Sequence, residues 1–315
     1  MPFLFILLSC QFKAQDKSFT YQHYGPEEGL NNTNVWAIKQ GPDNLMYFAT
    51  ANGIYSYDGY NFVKQRARDL KTNYIRNISF NNNKLVVSND EGAFEVDLKT
   101  KSAKKIETLK FKQADEIIFS GDFAYNLANQ TSINCVNIKT NTLYEDEIRK
   151  KNESVSANCI HKNKDGKVYV GRTDGIYVFE GEKQVKIKLL KDIPVYSITN
   201  NNEGNLVIGS DAKIIVLDKN YRVKAEYYPK FKAAKTFLLN FEKPIKKLSI
   251  DRFGRFWFKT NPDNALFLFE NNLVYDVFEI LNISTTVINS ISKDKDENIW
   301  ISTFNDGVYF VQNPF

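Results

Sequence analysis

Apolar and polar positions recur along the chain as a unit that repeats about every 42 residues, a period typical of stacked supersecondary structures. Each unit holds a short apolar run, a polar turn, a second run that ends in a small or hydroxyl residue, another turn and a third run. The clearest copies begin at Val35, Cys159 and Ile291. One unit cannot bury both of its faces, so the copies must pack on one another. A unit of this length, with four strands of about five residues, is typical of a β-propeller blade.

Seven copies account for the chain. The third copy is the weakest, with runs at Ile117 to Phe119, Phe123 to Leu127 and Ile133 to Val136. We include it because its omission leaves about 80 residues without an assigned unit, and structureless stretches of that length are rare in compact domains. Six and eight copies are the alternatives. The centres of the seven second runs are Tyr47, Val86, Ala124, Tyr169, Val207, Trp257 and Trp300.

The turns between the first and second runs favour strands over helices. Three of these turns contain Gly166, Gly204 and Gly254, and a fourth reads Ser120-Gly121-Asp122. Glycine at these positions supplies the positive φ that a tight hairpin needs. Tyr, Phe, Val and Ile dominate the runs, and long segments with an apolar period of about 3.6 residues are absent. The pattern therefore predicts an all-β chain.

The ends of the repeat array indicate how the ring closes. The last copy supplies three runs, the final one from Val308 to Gln312, and its fourth strand is missing. A lone strand-like segment, Phe19 to Tyr24, precedes the first copy. Its pairing with the last blade removes an exposed edge, whereas the alternative is a frayed extension. We predict an all-β, seven-bladed β-propeller of four-stranded antiparallel blades, closed by the N-terminal strand, as a single domain over residues 16–315.

Residues 1–15 are predicted to be a signal peptide. MPFLFILLSC is an apolar segment and Ala14-Gln15 offers a cleavage point, although no Lys or Arg precedes the segment. The alternative is a lipoprotein signal that ends at Cys10, because Leu7-Leu8-Ser9-Cys10 is similar to a bacterial lipobox. After residue 15 no apolar run is long enough to span a membrane. We expect an exported, periplasmic protein. A membrane anchor would be a lipid on Cys10 or a further C-terminal segment.

The net charge of +5 is modest, and the clearest basic stretch runs from Lys99 to Lys112. This stretch falls where the outermost strand of the second blade is expected, and lysines on such an edge discourage pairing with other chains. A nucleic-acid surface is the alternative. We expect no nucleic-acid partner, because the chain carries an export signal.

Two cysteines remain if Cys10 leaves with the signal peptide. Cys135 and Cys159 lie in strand-like runs on neighbouring blades. We expect two free buried thiols, because a buried thiol behaves as a small apolar group. A disulfide between the two is the alternative.

The first and last copies carry a specific sequence template. Gly29-Leu30 leads into Asn34-Val35, followed by Phe48-Ala49-Thr50, Asn52-Gly53-Ile54 and Tyr57-Asp58-Gly59, and Ile299 to Thr303 with Gly307-Val308-Tyr309 repeats the pattern. Over about residues 30–311 the chain resembles the two-component regulator propeller repeat family. The resemblance implies the periplasmic sensor of a histidine kinase of Bacteroidetes-type bacteria.

The chain departs from the usual plan of that family. Its members often carry two propellers, a small β-sandwich, a membrane helix and a kinase. This sequence ends at Phe315 after one propeller. We therefore expect either the sensor part of a longer reading frame or a free-standing exported propeller.

Candidate binding residues lie in loops that share one end of the central channel. If the first run of each copy descends along the channel, the loops after the second runs and the loops before the first runs lie at the same end. Their amides, carboxylates and aromatic rings suit a polysaccharide or another polar small ligand, although Asn and Asp are also ordinary turn residues. The candidates are Asn34, Asn52, Tyr74, Asp90, Arg172, Asp174, Asp211, Asn261 and Asn305.

Arg172 is the strongest of these candidates. The family template prefers a small or hydroxyl residue at its position, as at Thr50 and Thr303. A guanidinium suits a carboxylate, so an acidic sugar is the first ligand to screen. The alternatives are a solvated arginine and a surface salt bridge to Asp174.

Catalytic and metal motifs are not recognisable. The two histidines, His23 and His161, fall on different blades, and a zinc site usually needs several His or Cys ligands. We expect His161 in a surface turn at the opposite end of the channel. Asn163 to Gly166 and Asp294 to Asp296 lack the third acidic position and the distant Glu of a calcium loop, and hairpin turns explain them better. The sequence thus predicts no catalytic activity, no metal and no cofactor.

The leading functional hypothesis is an exported ligand- or partner-sensing propeller of a two-component signal transduction system, the sensor region of a histidine kinase. Its expected partners are a polysaccharide or other polar ligand, a downstream or partner histidine kinase and a second copy in a homodimer. The alternative is a free-standing periplasmic or surface propeller that binds glycans or envelope proteins. A propeller lyase or hydrolase is the second alternative.

Overall fold

A computed structural model describes residues 19–107, 109, 116–129, 131–187, 192–229, 243–261, 264–284 and 286–312. The predicted signal peptide, the lipidation site at Cys10, and Lys110 and Lys112 of the basic stretch lie outside these residues. Within them, 28 strands form seven antiparallel sheets of four strands each. The structure confirms the all-β, seven-bladed propeller, including the weak third copy.

The first four blades follow one another along the chain, each with its strands in sequence order. Blade 1 holds β2 (Val35–Gln40), β3 (Met46–Thr50), β4 (Gly53–Tyr57) and β5 (Phe62–Gln65). Blade 2 holds β6 (Asn77–Asn81), β7 (Lys84–Asn89), β8 (Gly92–Asp97) and β9 (Ser102–Lys105). Blade 3 holds β10 (Glu116–Ser120), β11 (Phe123–Ala128), β12 (Ser132–Asn137) and β13 (Thr142–Tyr144). Blade 4 holds β14 (Ala157–Lys162), β15 (Val168–Arg172), β16 (Gly175–Glu180) and β17 (Lys183–Lys186).

Blades 5 and 6 repeat the arrangement, and blade 7 combines both ends of the described chain. Blade 5 holds β18 (Ser197–Asn200), β19 (Leu206–Gly209), β20 (Ile214–Leu217) and β21 (Val223–Tyr227). Blade 6 holds β22 (Ile245–Ile250), β23 (Phe256–Thr260), β24 (Leu266–Glu270) and β25 (Leu273–Asp276). Blade 7 holds β26 (Ile288–Lys293), β27 (Ile299–Thr303), β28 (Val308–Val311) and β1 (Tyr21–Tyr24).

The N-terminal strand closes the ring, as predicted. β1 pairs antiparallel with β28, so that Tyr21 lies opposite Val311 and Tyr24 lies opposite Val308. This pairing supplies the fourth strand of blade 7 and covers the edge that β28 would otherwise expose.

The first strand of each blade is the innermost one. Inner strands of successive blades lie side by side, and β26 lies beside β2, so the seven strands surround one central channel. We call the end at which the chain enters each inner strand the upper end. The loops between second and third strands lie at that end, and the turns between first and second strands lie at the lower end.

An aspartate–tryptophan hydrogen bond ties each of two lower turns to its blade. Oδ2 of Asp294 accepts from Nε1 of Trp300 at 2.9 Å, and Asp251 accepts from Trp257 in the same way at 2.9 Å. Oδ1 of Asp294 also accepts from the backbone N–H of Asn298. One carboxylate thus satisfies both the turn backbone and a buried indole donor, which explains this spacing in the repeat.

The turn and core predictions also hold. Gly121, Gly166, Gly204 and Gly254 all have positive φ, between 57° and 85°. The apolar core lies between neighbouring blades; the ring of Trp300 in blade 7, for example, meets that of Phe48 in blade 1 at 5.8 Å. These interfaces bury the two faces that a single blade cannot cover alone.

Cys135, Cys159 and two lysines of the basic stretch lie in strands, as the sequence predicts. Cys135 and Cys159 are free thiols, as predicted, although Cys159 is only partly buried, and burial raises both pKa values to about 12. Lys104 and Lys105 lie exposed on β9, the outermost strand of blade 2, as expected.

Two short helices, α1 (Glu147–Lys151) and α2 (Val277–Leu281), lie between blades. No helix in the described ranges is long and apolar enough to cross a membrane.

Candidate functional site

A ring of half-buried side chains surrounds the upper end of the channel. In six blades the chain enters the inner strand through a fully buried apolar residue, and the next residue is half-buried. The six buried residues are Val35, Ile75, Ala157, Val195, Ile245 and Ile288. We call the residues that follow them the mouth ring: Trp36, Arg76, Asn158, Tyr196, Lys246 and Asn289. The equivalent position in blade 3 lies outside the described residues.

Hydrogen bonds between blades hold this ring in place. The backbone N–H of Ile75 donates to the carbonyl of Thr50 in the preceding blade at 3.0 Å, and Ile245 donates to Ser210 at 3.1 Å. Within the ring, Nδ2 of Asn158 donates to the carbonyl of Val195 at 3.0 Å. Nδ2 of Asn289 donates to the carbonyl of Val35 at 2.9 Å. Hydrogen bonds between blades therefore fix the entry to two inner strands and two of the six mouth-ring side chains.

An aromatic cluster occupies the side of the mouth formed by blades 7, 1 and 2. The ring of Trp36 lies 5.7 Å from that of Tyr74 and 5.9 Å from that of Phe304, with the latter pair edge-on. Phe304 is 38% exposed. The Nε1 donor of Trp36 is buried without a hydrogen-bond partner in the described structure. The apolar face of a half-buried indole suits a sugar ring, whereas the buried Nε1 donor is closed to an incoming hydroxyl group.

The structure places the nine sequence-predicted residues at the upper end of the channel, as the strand order requires. Asn52, Asp90, Asp211 and Asn305 are exposed, whereas Asn34, Tyr74, Asp174 and Asn261 are half-buried. Three of them contact the mouth ring. Asp90 accepts from Nε of Arg76 at 2.7 Å, Asp211 hydrogen-bonds to Tyr196, and the ring of Tyr74 lies 5.7 Å from that of Trp36.

Arg172, the strongest sequence candidate, is fully buried. Its Nη2 donates to Oδ1 of Asp146 at 2.7 Å and to Oε1 of Gln184 at 2.8 Å. Asp174 pairs instead with Lys186, at 2.7 Å. The expectation that Arg172 is open to a ligand, and its alternative of a pair with Asp174, are therefore both wrong. The loop that carries Asp146 folds over the end of β15 and encloses the guanidinium.

His161 is also placed differently from the prediction. It lies in the inner strand β14, half-buried, with Nε2 at 2.6 Å from Oδ1 of Asn200 in β18. The prediction of a surface turn is wrong because β14 continues to Lys162 before the chain turns. Across the same channel, Nζ of Lys39 lies 3.7 Å from a carboxylate oxygen of Glu116. In the described part of the chain, no three His, Cys, Asp or Glu side chains come together as metal ligands.

The mouth ring was not identified from the sequence, although a signal for it exists. Each ring residue directly follows the first apolar residue of a first run. The alternation of apolar and polar residues does not reveal this position. Both faces of an inner strand pack against neighbouring blades, and only its open edge borders the channel. Alignment of the seven copies on their first buried residue would have placed Trp36, Tyr196 and Lys246 in one column.

The two-component regulator propeller family matches residues 282–305 of the chain. This segment covers the start of blade 7 and the template that contains Trp300. No protein of curated function shows significant sequence similarity to the chain.

Solved structures share the fold at low identity. The extracellular domain of BT4673 from B. thetaiotaomicron, described as a hybrid two component system, is 18% identical with a TM-score of 0.71, covering 94% of this chain and 40% of its own. The extracellular domain of BT3049 from the same organism is 17% identical with a TM-score of 0.64; the match covers 94% of this chain and 42% of the BT3049 domain. The chain thus spans less than half the length of those domains.

An enzyme has the same architecture. A catalytically inactive variant of virginiamycin B lyase from Staphylococcus aureus, with quinupristin, is 13% identical with a TM-score of 0.66, covering 94% of this chain and 100% of its own. Identities this low compare folds only. The family match rests on sequence, and residues 282–305 therefore carry the two-component regulator propeller repeat.

Proposed function

We propose that the chain is an exported sensor propeller of a two-component signal transduction system and that it binds a polar ligand, such as a polysaccharide fragment, at the mouth ring. The family match at residues 282–305 carries the signalling part of the proposal. The extracellular domains of BT4673 and BT3049 support it through their fold. A histidine kinase, in the same or a partner chain, is the expected receiver of the signal.

The aromatic cluster supports the ligand part of the proposal. Trp36 presents the face of a half-buried indole, and Tyr74 and Phe304 flank it. Asp90 and Asp211, each fixed to a ring residue, add carboxylate acceptors beside the mouth. A ligand that bridges several blades would bind one arrangement of the propeller and its neighbouring domain or subunit more tightly than another. This difference in affinity shifts the equilibrium between the two arrangements, and a kinase can respond to the shift.

Tryptophan fluorescence offers a direct test. The chain has three tryptophans, and Trp257 and Trp300 are 0% and 3% exposed, so quenching by a bound saccharide reports mainly on Trp36. We expect one class of oligosaccharide in a panel to quench the emission, and Trp36→Ala to weaken its binding in calorimetry at least tenfold, about 1.4 kcal/mol.

Tyr60→Ala is the matched control, because Tyr60 is 88% exposed in a lower turn far along the strand from the mouth. It should leave the affinity unchanged. Equal affinities of the wild-type protein and Trp36→Ala would remove the mouth ring as the site. In the source bacterium, a chromosomal Trp36→Ala allele should also lose the transcriptional response to the same oligosaccharide, and a retained response would contradict the signalling proposal.

A free-standing glycan-binding propeller and a propeller lyase remain the competing functions. The structure of virginiamycin B lyase favours the latter only through the shared fold. Each competing function predicts a different experimental result from that of the sensor. A lyase would convert a bound substrate, and a free-standing binder would bind its glycan without any change in transcription.

A further inference from the structure

Blade 6 departs from the repeat at the upper end of the channel by placing three lysines there. Lys246 and Lys247 are the second and third residues of its inner strand, and Lys259 lies next to the last residue of its second strand. The pairs that correspond to Lys246-Lys247 in three other blades are Trp36-Ala37, Asn158-Cys159 and Asn289-Ser290. The residues that correspond to Lys259 in four other blades are Ala49, Gly171, Gly209 and Ser302.

The small residues at the Lys259 position have a packing reason. A Cβ on Gly171 would lie 2.6 Å from Cγ1 of Val195, and one on Gly209 would lie 2.6 Å from the carbonyl oxygen of Ile245. The position therefore faces the inner strand of the next blade at close range. Lys259 instead extends across this junction and donates from Nζ to the carbonyl of Ile288 in blade 7 at 2.6 Å. Packing within the repeat gives no reason for a lysine here.

The arrangement of the three lysines is costly. Lys246 and Lys259 lie directly opposite each other on paired strands, where like charges destabilise a sheet. Lys247 occupies the adjacent β-bulge with a φ of 51°, a left-handed conformation that disfavours a residue with a Cβ. No Asp or Glu in the described ranges forms an ion pair with any of the three. A cost that neither packing nor a paired carboxylate offsets points to a counter-charge that arrives with a ligand.

The pKa values point the same way. Burial, together with the charges of Lys247 and Lys246, lowers the pKa of Lys259 to about 8. Burial and Lys247 also lower the pKa of Lys246, and Cys159 acts in the opposite direction. The carboxylate of Glu116 acts on Cys159 and pairs with Lys39. A bound anion would favour the protonated forms of Lys246 and Lys259 and raise the pKa values of both.

We propose that Lys246, Lys247 and Lys259 form a binding site for an oxyanion group, a carboxylate or a sulfate, carried by the ligand at the mouth ring. The proposal rests on the proposed function for the identity of the molecule that carries this group. The site connects to the aromatic cluster through neighbouring contacts: Lys259 binds the carbonyl of Ile288, the adjacent Asn289 binds that of Val35, and Trp36 follows. An acidic saccharide can therefore stack on Trp36 and place its charge at blade 6.

The test follows the lysines themselves. Proteins with ¹³C-labelled lysine are titrated by NMR between pH 6 and pH 11, with sodium sulfate, with trigalacturonate or with neutral galactotriose, at a constant ionic strength set by sodium chloride. We expect sulfate and trigalacturonate to raise the pKa of Lys259 by one unit or more, with saturation, and galactotriose to leave it unchanged. Lys246→Gln and Lys259→Gln should each weaken trigalacturonate binding at least fivefold in calorimetry.

Lys104→Gln is the control, because Lys104 is exposed on β9 and its loss changes the net charge equally. It should keep the wild-type affinity. The inference is overturned if neither anion shifts Lys259, or if all three variants bind trigalacturonate alike. If galactotriose quenches Trp36 and neither anion shifts the pKa of Lys259, the anion site is contradicted and the saccharide function is not. Sulfate that shifts Lys259 while no saccharide quenches Trp36 would support the anion site and contradict the saccharide function.

Discussion

Nη2 of Arg172 lies 2.7 Å from Oδ1 of Asp146, and both side chains are buried, at 0% and 5% exposure. Asp146 is also the N-cap of α1 and accepts from the backbone N–H of Ile133 through Oδ2 at 2.9 Å. A single ion pair therefore joins the end of β15 in blade 4 to the loop that leaves blade 3. This is a structural junction between two blades.

Arg172→Ala should lower the free energy of unfolding by about 3–5 kcal/mol, because it leaves the Asp146 carboxylate buried without its counter-charge. Urea denaturation followed by circular dichroism measures this loss. Lys186→Ala is the matched control, since it removes the half-exposed pair with Asp174 and should cost only about 0–1 kcal/mol. Equal losses in the two variants would show that the buried pair contributes no more than an exposed one.

Gly307 permits the ring to close. Its φ is +65°, and a Cβ at this position would lie 2.2 Å from the carbonyl oxygen of Tyr24, at the end of β1. Gly307→Ala should therefore push β1 away from β28. We expect faster amide hydrogen exchange at residues 21–24 and a loss of stability well beyond the backbone cost of about 1–2 kcal/mol for a residue with a Cβ.

Gly254→Ala separates this clash from backbone strain. Gly254 also has a positive φ, +76°, but nothing lies within 4 Å of a Cβ there. This variant should show the backbone cost and leave exchange at residues 21–24 at the wild-type rate. Slow exchange of β1 in Gly307→Ala would mean that closure does not depend on this contact.

The fold was predictable from the sequence because each blade repeats the same physical requirements. Trp257 and Trp300 mark second strands, Gly166 and Gly204 mark lower turns with positive φ, and the three runs after Ile288 leave one strand to be supplied by β1. These are local or periodic signals, and a period of about 42 residues makes them add up along the chain. The weak third copy followed from this period rather than from its own residues.

The candidate site was less predictable because it depends on contacts between blades. Arg172 deviates from the repeat, but only the structure shows that Asp146, 26 positions earlier, encloses it. Lys246, Lys247 and Lys259 also deviate from the repeat, but lysines in a mainly polar sequence resemble ordinary surface residues. The pairing of β22 with β23 distinguishes them, because it places Lys246 opposite Lys259 and Lys247 in the adjacent bulge.

His161 should make stability depend on pH below neutrality. Burial lowers its pKa below the ordinary 6.5, and Lys39 acts in the same direction, whereas the hydrogen bond to Asn200 and the charge of Glu116 oppose this shift. The unfolded chain therefore takes up the proton at a higher pH than the folded one, so stability present above about pH 6.5 is lost as pH falls. We expect His161→Gln to lose less stability than the wild type between pH 7.5 and pH 5, by up to about 1.4 kcal/mol per pH unit over the window between the two pKa values. Urea titrations at both pH values measure the difference.

His23→Gln is the control, because His23 lies exposed on strand β1 and His161 stays in place. This variant should retain the part of the pH dependence that His161 causes. Identical pH dependence in the wild type and His161→Gln would show that His161 titrates alike in the folded and unfolded chain, against its burial beside Asn200.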